Sequence, residues 1–274
     1  MKHQKLTLNQ LKRNEEQLKN CITVSQISKL LNCTKNQLKL LTFNPVYYHF
    51  SIPKKNGEFR QIEAPSLELK NIQRKLNVYL QAVYYLHQSK ASYGYILKVA
   101  GSKFIKNIYS NAFQHLGNNC MLNADFEDFF HQINIDMVTT LFKSSLFNFD
   151  IYTAHTLAKL CCYNGRLPMG APTSPVLSNL YSIGFDMEIE QWASSKNISY
   201  TRYVDDLTFS TKNSDFTAND FNFISTIAAK YHLKFNPSKT LYAKVNDVKK
   251  VTGLVLNSTV DIDPDYYLEL EKDI

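Results

Sequence analysis

A chain of 274 residues can bury a substantial core and fits one large domain or two closely packed ones. Its 31 Lys and Arg against 24 Asp and Glu leave a net charge of +7, which favours polyanionic partners such as nucleic acid and disfavours acidic ones. The five cysteines are odd in number, two are adjacent and none has C-x-x-C spacing, so they read as reduced core thiols of a cytoplasmic protein and not as a zinc or disulfide framework.

The opening MKHQKLTLNQLKRNEEQLKN is too polar for a signal peptide, and no apolar run reaches the length of a bilayer span, so no membrane partner is expected. Up to about residue 42 the pattern is one of short amphipathic helices, with Leu30, Leu31, Leu38 and Leu41 spaced for one apolar face. YYHFSIPKKNGEFRQIEAP, from 47 to 65, is two strand-like runs joined across Asn56-Gly57, a strong hairpin signal. Lys54, Lys55 and Arg60, at or near its tip, are either a solvated hairpin end or contacts to phosphate. Helical periodicity follows from Leu67 to about Tyr85, and again around FIKNIYSNAFQHLG, from 104 to 117.

In CMLNADFEDFFHQI, from 120 to 133, Met121, Leu122 and Ala124 read as a buried strand ending on Asp125, with a helix starting after Asp128. Asp128 fits a helix cap better than Asp125 does, and an acid at the end of a buried strand is costly unless a cation neutralises it. GRLPMGAPTSPVLSNL, from 165 to 180, places Ser174 and Pro175 as N-cap and first-turn residue of a helix running towards Trp192. Gly170 and Ala171 ahead of it have so little bulk that a ligand could approach closely, or they form a rigid loop and nothing more.

TRYVDDLTFS, from 201 to 210, is β-prone on both sides of Val204, Asp205 and Asp206, which predicts a hairpin turn, although no Gly or Asn is present to suit a tight one. Two adjacent acids repel, and alone they are explained as a solvated turn. Together with Asp125, in a basic chain, they are the set that two-metal phosphoryl transfer requires: hard Mg²⁺ ions take oxygen ligands, and a few carboxylates can hold two of them close together.

NADFEDFF, LPMGAPTSPVLSNL, TRYVDDLTFS, NPSKT (236 to 240) and VTGLVLN (251 to 257), in this order, resemble the successive palm motifs of reverse transcriptases. NAFQHLG, from 111 to 117, and VTG make the chain similar to the bacterial retron type in particular. The resemblance runs from about residue 46 to 257. It implies an α+β right-hand polymerase fold, with an N-terminal helical region (1–45), fingers (46–120), an antiparallel-sheet palm (121–257, of which roughly 135–168 contributes to the fingers) and the start of a thumb (258–274), too short to clasp a duplex.

The resemblance further implies that Asp125, Asp205 and Asp206 are the catalytic carboxylates and hold two Mg²⁺ ions, with Asp206 the more replaceable. Lys54 or Lys55, with Arg60, would hold the triphosphate of a dNTP. Phe130 would either select against a 2′-hydroxyl or be an ordinary core Phe, and Gly170 would lie near the nucleotide. Lys239 would either sit near the triphosphate or be a solvated lysine, and Val251, Thr252 and Gly253 would grip the primer. Asn111 and His115 are candidate RNA contacts, with a satisfied buried histidine as the alternative for the second. Met169 stands where the family usually has Gln, and Val204 where bacterial relatives usually have Ala.

The implied partners are a structured non-coding RNA, its branched RNA–DNA product primed from a guanosine 2′-hydroxyl, and an effector protein in antiphage defence. Two alternatives stay open: a group II intron or diversity-generating reverse transcriptase, and a non-catalytic palm-fold scaffold that binds RNA.

Overall fold

The computed structural model describes residues 5–53 and 57–263. In chain order its elements are α1 (Leu8–Lys19), α2 (Val24–Leu30), α3 (Lys35–Phe43), β1 (Tyr47–Pro53), β2 (Phe59–Pro65), α4 (Leu67–His87), α5 (Ile108–Phe113), β3 (Cys120–Asp125), α6 (Phe129–Gln132), α7 (Ile135–Lys143), α8 (Ile151–Cys161) and α9 (Ser174–Tyr181). After these come α10 (Ile183–Ser195), β4 (Ser199–Tyr203), β5 (Asp206–Thr211), α11 (Ala218–Lys230), a 3₁₀ turn (Pro237–Lys239), β6 (Leu241–Ala243), β7 (Lys249–Val251), β8 (Leu254–Leu256) and β9 (Val260–Ile262). They gather into two units, each built from several stretches of chain. One takes the residues up to Gln88 with Val99–Gly101 and Asp128–Tyr181; the other takes Ser89–Lys98, Ser102–Glu127 and the residues from Ser182 on.

The first unit is helices around a hairpin. α1, α2 and α3 each begin with a reciprocal capping box, formed by Thr7 with Gln10, Thr23 with Gln26 and Thr34 with Gln37, which satisfies first-turn N–H groups that have no partner within the helix. α4 buries Leu69, Ile72, Leu76, Leu80 and Val83, a three-and-four spacing that makes one stripe, and α1 and α9 pack on it. β1 and β2 pair antiparallel from Tyr47 opposite Pro65 to Pro53 opposite Phe59. The ladder confirms the expected hairpin; Lys54, Lys55 and Asn56 lie outside the described residues. Glu63 of β2, nearly buried, takes both Nη atoms of Arg166 at 3.1 and 3.0 Å, which fastens the hairpin to the loop before α9.

Two expected caps are absent. Asp128 precedes α6 with φ +40° and makes no side-chain cap bond, because the left-handed backbone there turns it away from the cap geometry. Ser174 is already inside α9, and its hydroxyl donates to the Pro168 carbonyl at 2.7 Å. The helix expected to run on to Trp192 breaks at Ser182, and that expected over 104–117 forms only at Ile108–Phe113.

The second unit is built on a four-stranded sheet of order β4-β5-β3-β6 in which every pairing is antiparallel. Leu122, Ala124, Leu207 and Phe209 fill its core, and α10 packs on β4 and α11. The outer edge of β4 is covered: the Arg202 N–H donates to the Ala91 carbonyl and the Tyr93 N–H to the Arg202 carbonyl, both at 2.8 Å. These bonds assign residues 89–98 to this unit by satisfying an edge that would otherwise stay unpaired. A second small sheet, β7-β8-β9, buries Val251 against Ala112 and Met121. Helices combined with sheets whose pairings are all antiparallel make the fold α+β. Among the described residues no helix is long and apolar enough to cross a membrane.

Candidate active site

β3 and β5 pair in a register that sets Asp125 directly opposite Asp206, at the last rung of the ladder. β4 and β5 are joined by two residues only, since Tyr203 pairs with Asp206, and Asp205 is the second of them. The Phe126 N–H donates to the Asp205 carbonyl at 3.1 Å, and the Asn236 N–H to the Asp125 carbonyl at 2.8 Å, so each strand end is fixed from outside its own ladder. One oxygen from each of Asp125, Asp205 and Asp206 lies within 4.8 Å of the other two.

Like charges opposite each other on a sheet repel. The carboxyl of Asp206 is pushed up to about 7, first by loss of hydration and then by the charges of Asp205 and Asp125 and a hydrogen bond with Asp125; Lys239 pulls the other way. Asp206 keeps an exposed edge, so water screens part of that displacement. The Nζ of Lys239 meets Asp125 Oδ2 at 2.5 Å, and this bond holds the ammonium pKa above its ordinary value. Three hard oxygen donors crowded together beside the Lys239 ammonium fit a hard divalent metal.

Asp125, Asp206 and Lys239 line one pocket of about 340 Å³ together with Asn123, Thr252 and Gly253. Thr252 and Gly253 are the two-residue turn between β7 and β8, at φ +47° and +79°, the positive values of a primed turn. Of the three residues expected at the primer, Val251 is not on this surface: it is fully buried, because strand alternation turns it into the small core. The two candidate RNA contacts are corrected in the same way. His115 is fully buried, with Nδ1 2.7 Å from the Ser210 hydroxyl and Nε2 2.7 Å from the Thr201 hydroxyl, and Asn111 is buried with its Nδ2 3.4 Å from the Thr252 hydroxyl. Neither side chain has surface to offer an RNA; His115 ties β4 to β5, the two strands whose turn carries Asp205.

The remaining candidates belong to the first unit. Arg60 is exposed on β2 opposite Ile52, and Lys54 lies outside the described residues. Phe130 is half-buried, its ring 5.9 Å from that of Phe129. Gly170, at φ +139°, is approached by protein: a Cβ there would stand 2.7 Å from the Glu63 carbonyl oxygen. The missing side chain at that point therefore admits β2.

Residue patterns alone missed Arg202 and Asp186, an ion pair at 2.7 Å with neither side chain exposed at all. The available signal was an arginine in the middle of a β-prone run, a residue type almost never buried without a partner. They also missed Asn123, which lines the pocket from β3 and whose Nδ2 donates to the Lys250 carbonyl at 2.8 Å.

Carboxylates gathered at a strand end and a tight hairpin turn, with a lysine and a second turn close by, fit the demands of metal-assisted nucleotidyl transfer. The sequence from residue 52 to 256 matches the family model described as reverse transcriptase (RNA-dependent DNA polymerase), and the chain belongs to that family. Retron enzymes are among its relatives. It is 33% identical over 253 residues to the Retron Ec86 reverse transcriptase of Escherichia coli, covering 90% of this chain and 76% of that one. It is 28% identical to the Retron Ec83 reverse transcriptase of the same organism, over 77% of this chain and 69% of that one. Among solved structures, a telomerase from Candida albicans in complex with a fragment of telomeric RNA superposes with a TM-score of 0.53 at 14% identity, over 80% of this chain and 46% of that one. That likeness is one of fold, and the chain spans about half the telomerase's length.

Proposed function

We propose that the chain is a retron reverse transcriptase, which copies part of a structured non-coding RNA into DNA from a guanosine 2′-hydroxyl and retains the branched product. The observation that carries this is the convergence of the Asp125, Asp205 and Asp206 carboxylates, of which Asp125 and Asp206 line one pocket with Lys239 and the Thr252–Gly253 turn. The three acids are the catalytic set and would hold two Mg²⁺ ions. Such ions, when bound, lower the pKa of the attacking hydroxyl and neutralise charge on the departing pyrophosphate.

The chain's own groups do the rest. Asp125 is fixed by β3 and Asp205 by the hairpin, so the ligand oxygens are in place before substrate arrives. Lys239, on its 3₁₀ turn, exchanges its bond to Asp125 for the triphosphate and donates a proton towards pyrophosphate. Thr252 and Gly253 offer backbone to the primer terminus. In this reading Lys54, Arg60, Phe130 and Gly170 keep the nucleotide-contacting roles that the resemblance implies. The domain bounds stay those that the resemblance implies, 1–45 for the N-terminal region, 46–120 for the fingers and 121–257 for the palm, with roughly 135–168 contributing to the fingers. An effector protein and a role in antiphage defence follow from the retron reading.

Nucleic acid extracted from the purified protein tests this reading. The expected species is a short RNA–DNA molecule joined through a 2′–5′ branch, absent when Asp205→Asn and Asp206→Asn are combined. Linear complementary DNA alone would favour the group II intron or diversity-generating types, and the same RNA with or without the acids would favour a scaffold.

A further inference from the structure

Val204 is the first of the two residues in the turn that bears Asp205, and its φ is +65°. Asp205 is not among the residues with positive φ, so the turn has the pattern of type II′, whose first central position suits glycine. A β-branched residue there is strained, and such strain persists only where the surroundings over-determine it. Arg202 does so. Its side chain is wholly buried, and Nη1 donates to the Val204 carbonyl at 2.9 Å. Its Nε and Nη2 bind both oxygens of the equally buried Asp186 at 2.8 and 2.7 Å, and the Tyr200 hydroxyl donates to the same aspartate at 2.9 Å. Gly94 closes the arrangement: a Cβ there would stand 2.6 Å from Val204 Cγ2 and 2.8 Å from the Val204 nitrogen.

We propose that Arg202, oriented by Asp186, is a positioning residue for polymerisation: through the Val204 carbonyl it holds the strained turn, and so sets Asp205 and Asp206 at the spacing a metal pair needs. The inference rests on the polymerase reading above. A buried ion pair alone needs only its two members and is often replaceable by apolar residues. Here the fork has a third task, a bond to the strained residue itself. Lysine, a single ammonium on a flexible stem, cannot meet both Asp186 oxygens and the carbonyl together.

The test is RNA-templated primer extension by the full chain across a range of Mg²⁺ concentrations. For Arg202→Lys the single-turnover rate falls roughly 10²-fold and the Mg²⁺ needed for half the maximal rate rises, while affinity for the RNA is unchanged. Adding Val204→Gly, which relieves the strain, restores most of the rate; a merely structural ion pair gains nothing from a glycine in the turn. Where Arg202→Lys lowers the folded fraction, Arg202→Met with Asp186→Leu, which buries no unpaired charge, carries the same comparison. Folded variants with the parental rate and Mg²⁺ dependence, a loss that Val204→Gly leaves untouched, or failure of both variants to fold would each overturn the proposal. A parental chain that extends no primer overturns the polymerase reading instead, so the two failures are distinct.

Discussion

The charged residues of the second unit differ in what surrounds them, and each environment has a consequence for stability. Asp186 is wholly buried against Arg202 and Tyr200, so Asp186→Ala leaves the guanidinium without its counter-charge. Removing one partner of a buried pair costs about 3–5 kcal/mol, and chemical denaturation of the variant should show a loss of that size. His115 behaves in the opposite sense to an ion-paired histidine. Burial pushes its pKa down to about 3, against an ordinary value of about 6.5 in the unfolded chain, so the unfolded state binds the extra proton between these limits. Its contribution is complete above about pH 6.5 and is lost as the pH falls below that value, at a limiting slope of about 1.4 kcal/mol per pH unit. Between about pH 7.5 and 5.5 the parental chain should therefore lose ~1.4 kcal/mol more than His115→Asn, in denaturant midpoints at both pH values. Equal losses would mean that His115 is protonated in the folded protein.

At the scale of elements, caps and turns decide where strands and helices stop. The three Thr-x-x-Gln boxes make the N-terminal helices start cleanly, and Thr23→Ala should destabilise the protein by about 1 kcal/mol, measured by thermal or denaturant unfolding. These boxes were present in TLNQ, TVSQ and TKNQ from the outset, a local signal that the leucine periodicity overshadowed. β3 was legible because Met121, Leu122 and Ala124 mark a buried run, and the β1–β2 hairpin because alternation surrounds Asn-Gly. The break at Ser182 was not legible: nothing in SNLYSIGFD forbids a continuous helix, and the stop is set by which unit each half packs in. Likewise Val204 carries the positive φ that glycine would be expected to fill, since tertiary bonds from Arg202 override local preference there.

At the scale of the whole molecule, the site drew together residues that the sequence spreads from Asn123 to Gly253. The acids were legible because like charges without a folding benefit need a chemical explanation. The partners of Val251, Asn111 and His115 were not, because a motif names residues without saying which face they present; all three proved to be buried supports. The net charge of +7 is likewise a property of the whole. It predicts that affinity for structured RNA falls at least about tenfold between roughly 50 and 200 mM salt, as counterion release requires, which filter binding at both concentrations would register. In the proposed reading Asp125, Asp205 and Asp206 form one metal-dependent polymerising site. Single-turnover incorporation of dNTP on an RNA template with Mg²⁺ tests it most directly: Asp125→Asn and Asp205→Asn should each lower the rate by about 10³-fold or more while RNA binding persists. Incorporation by either variant at the parental rate would contradict the account.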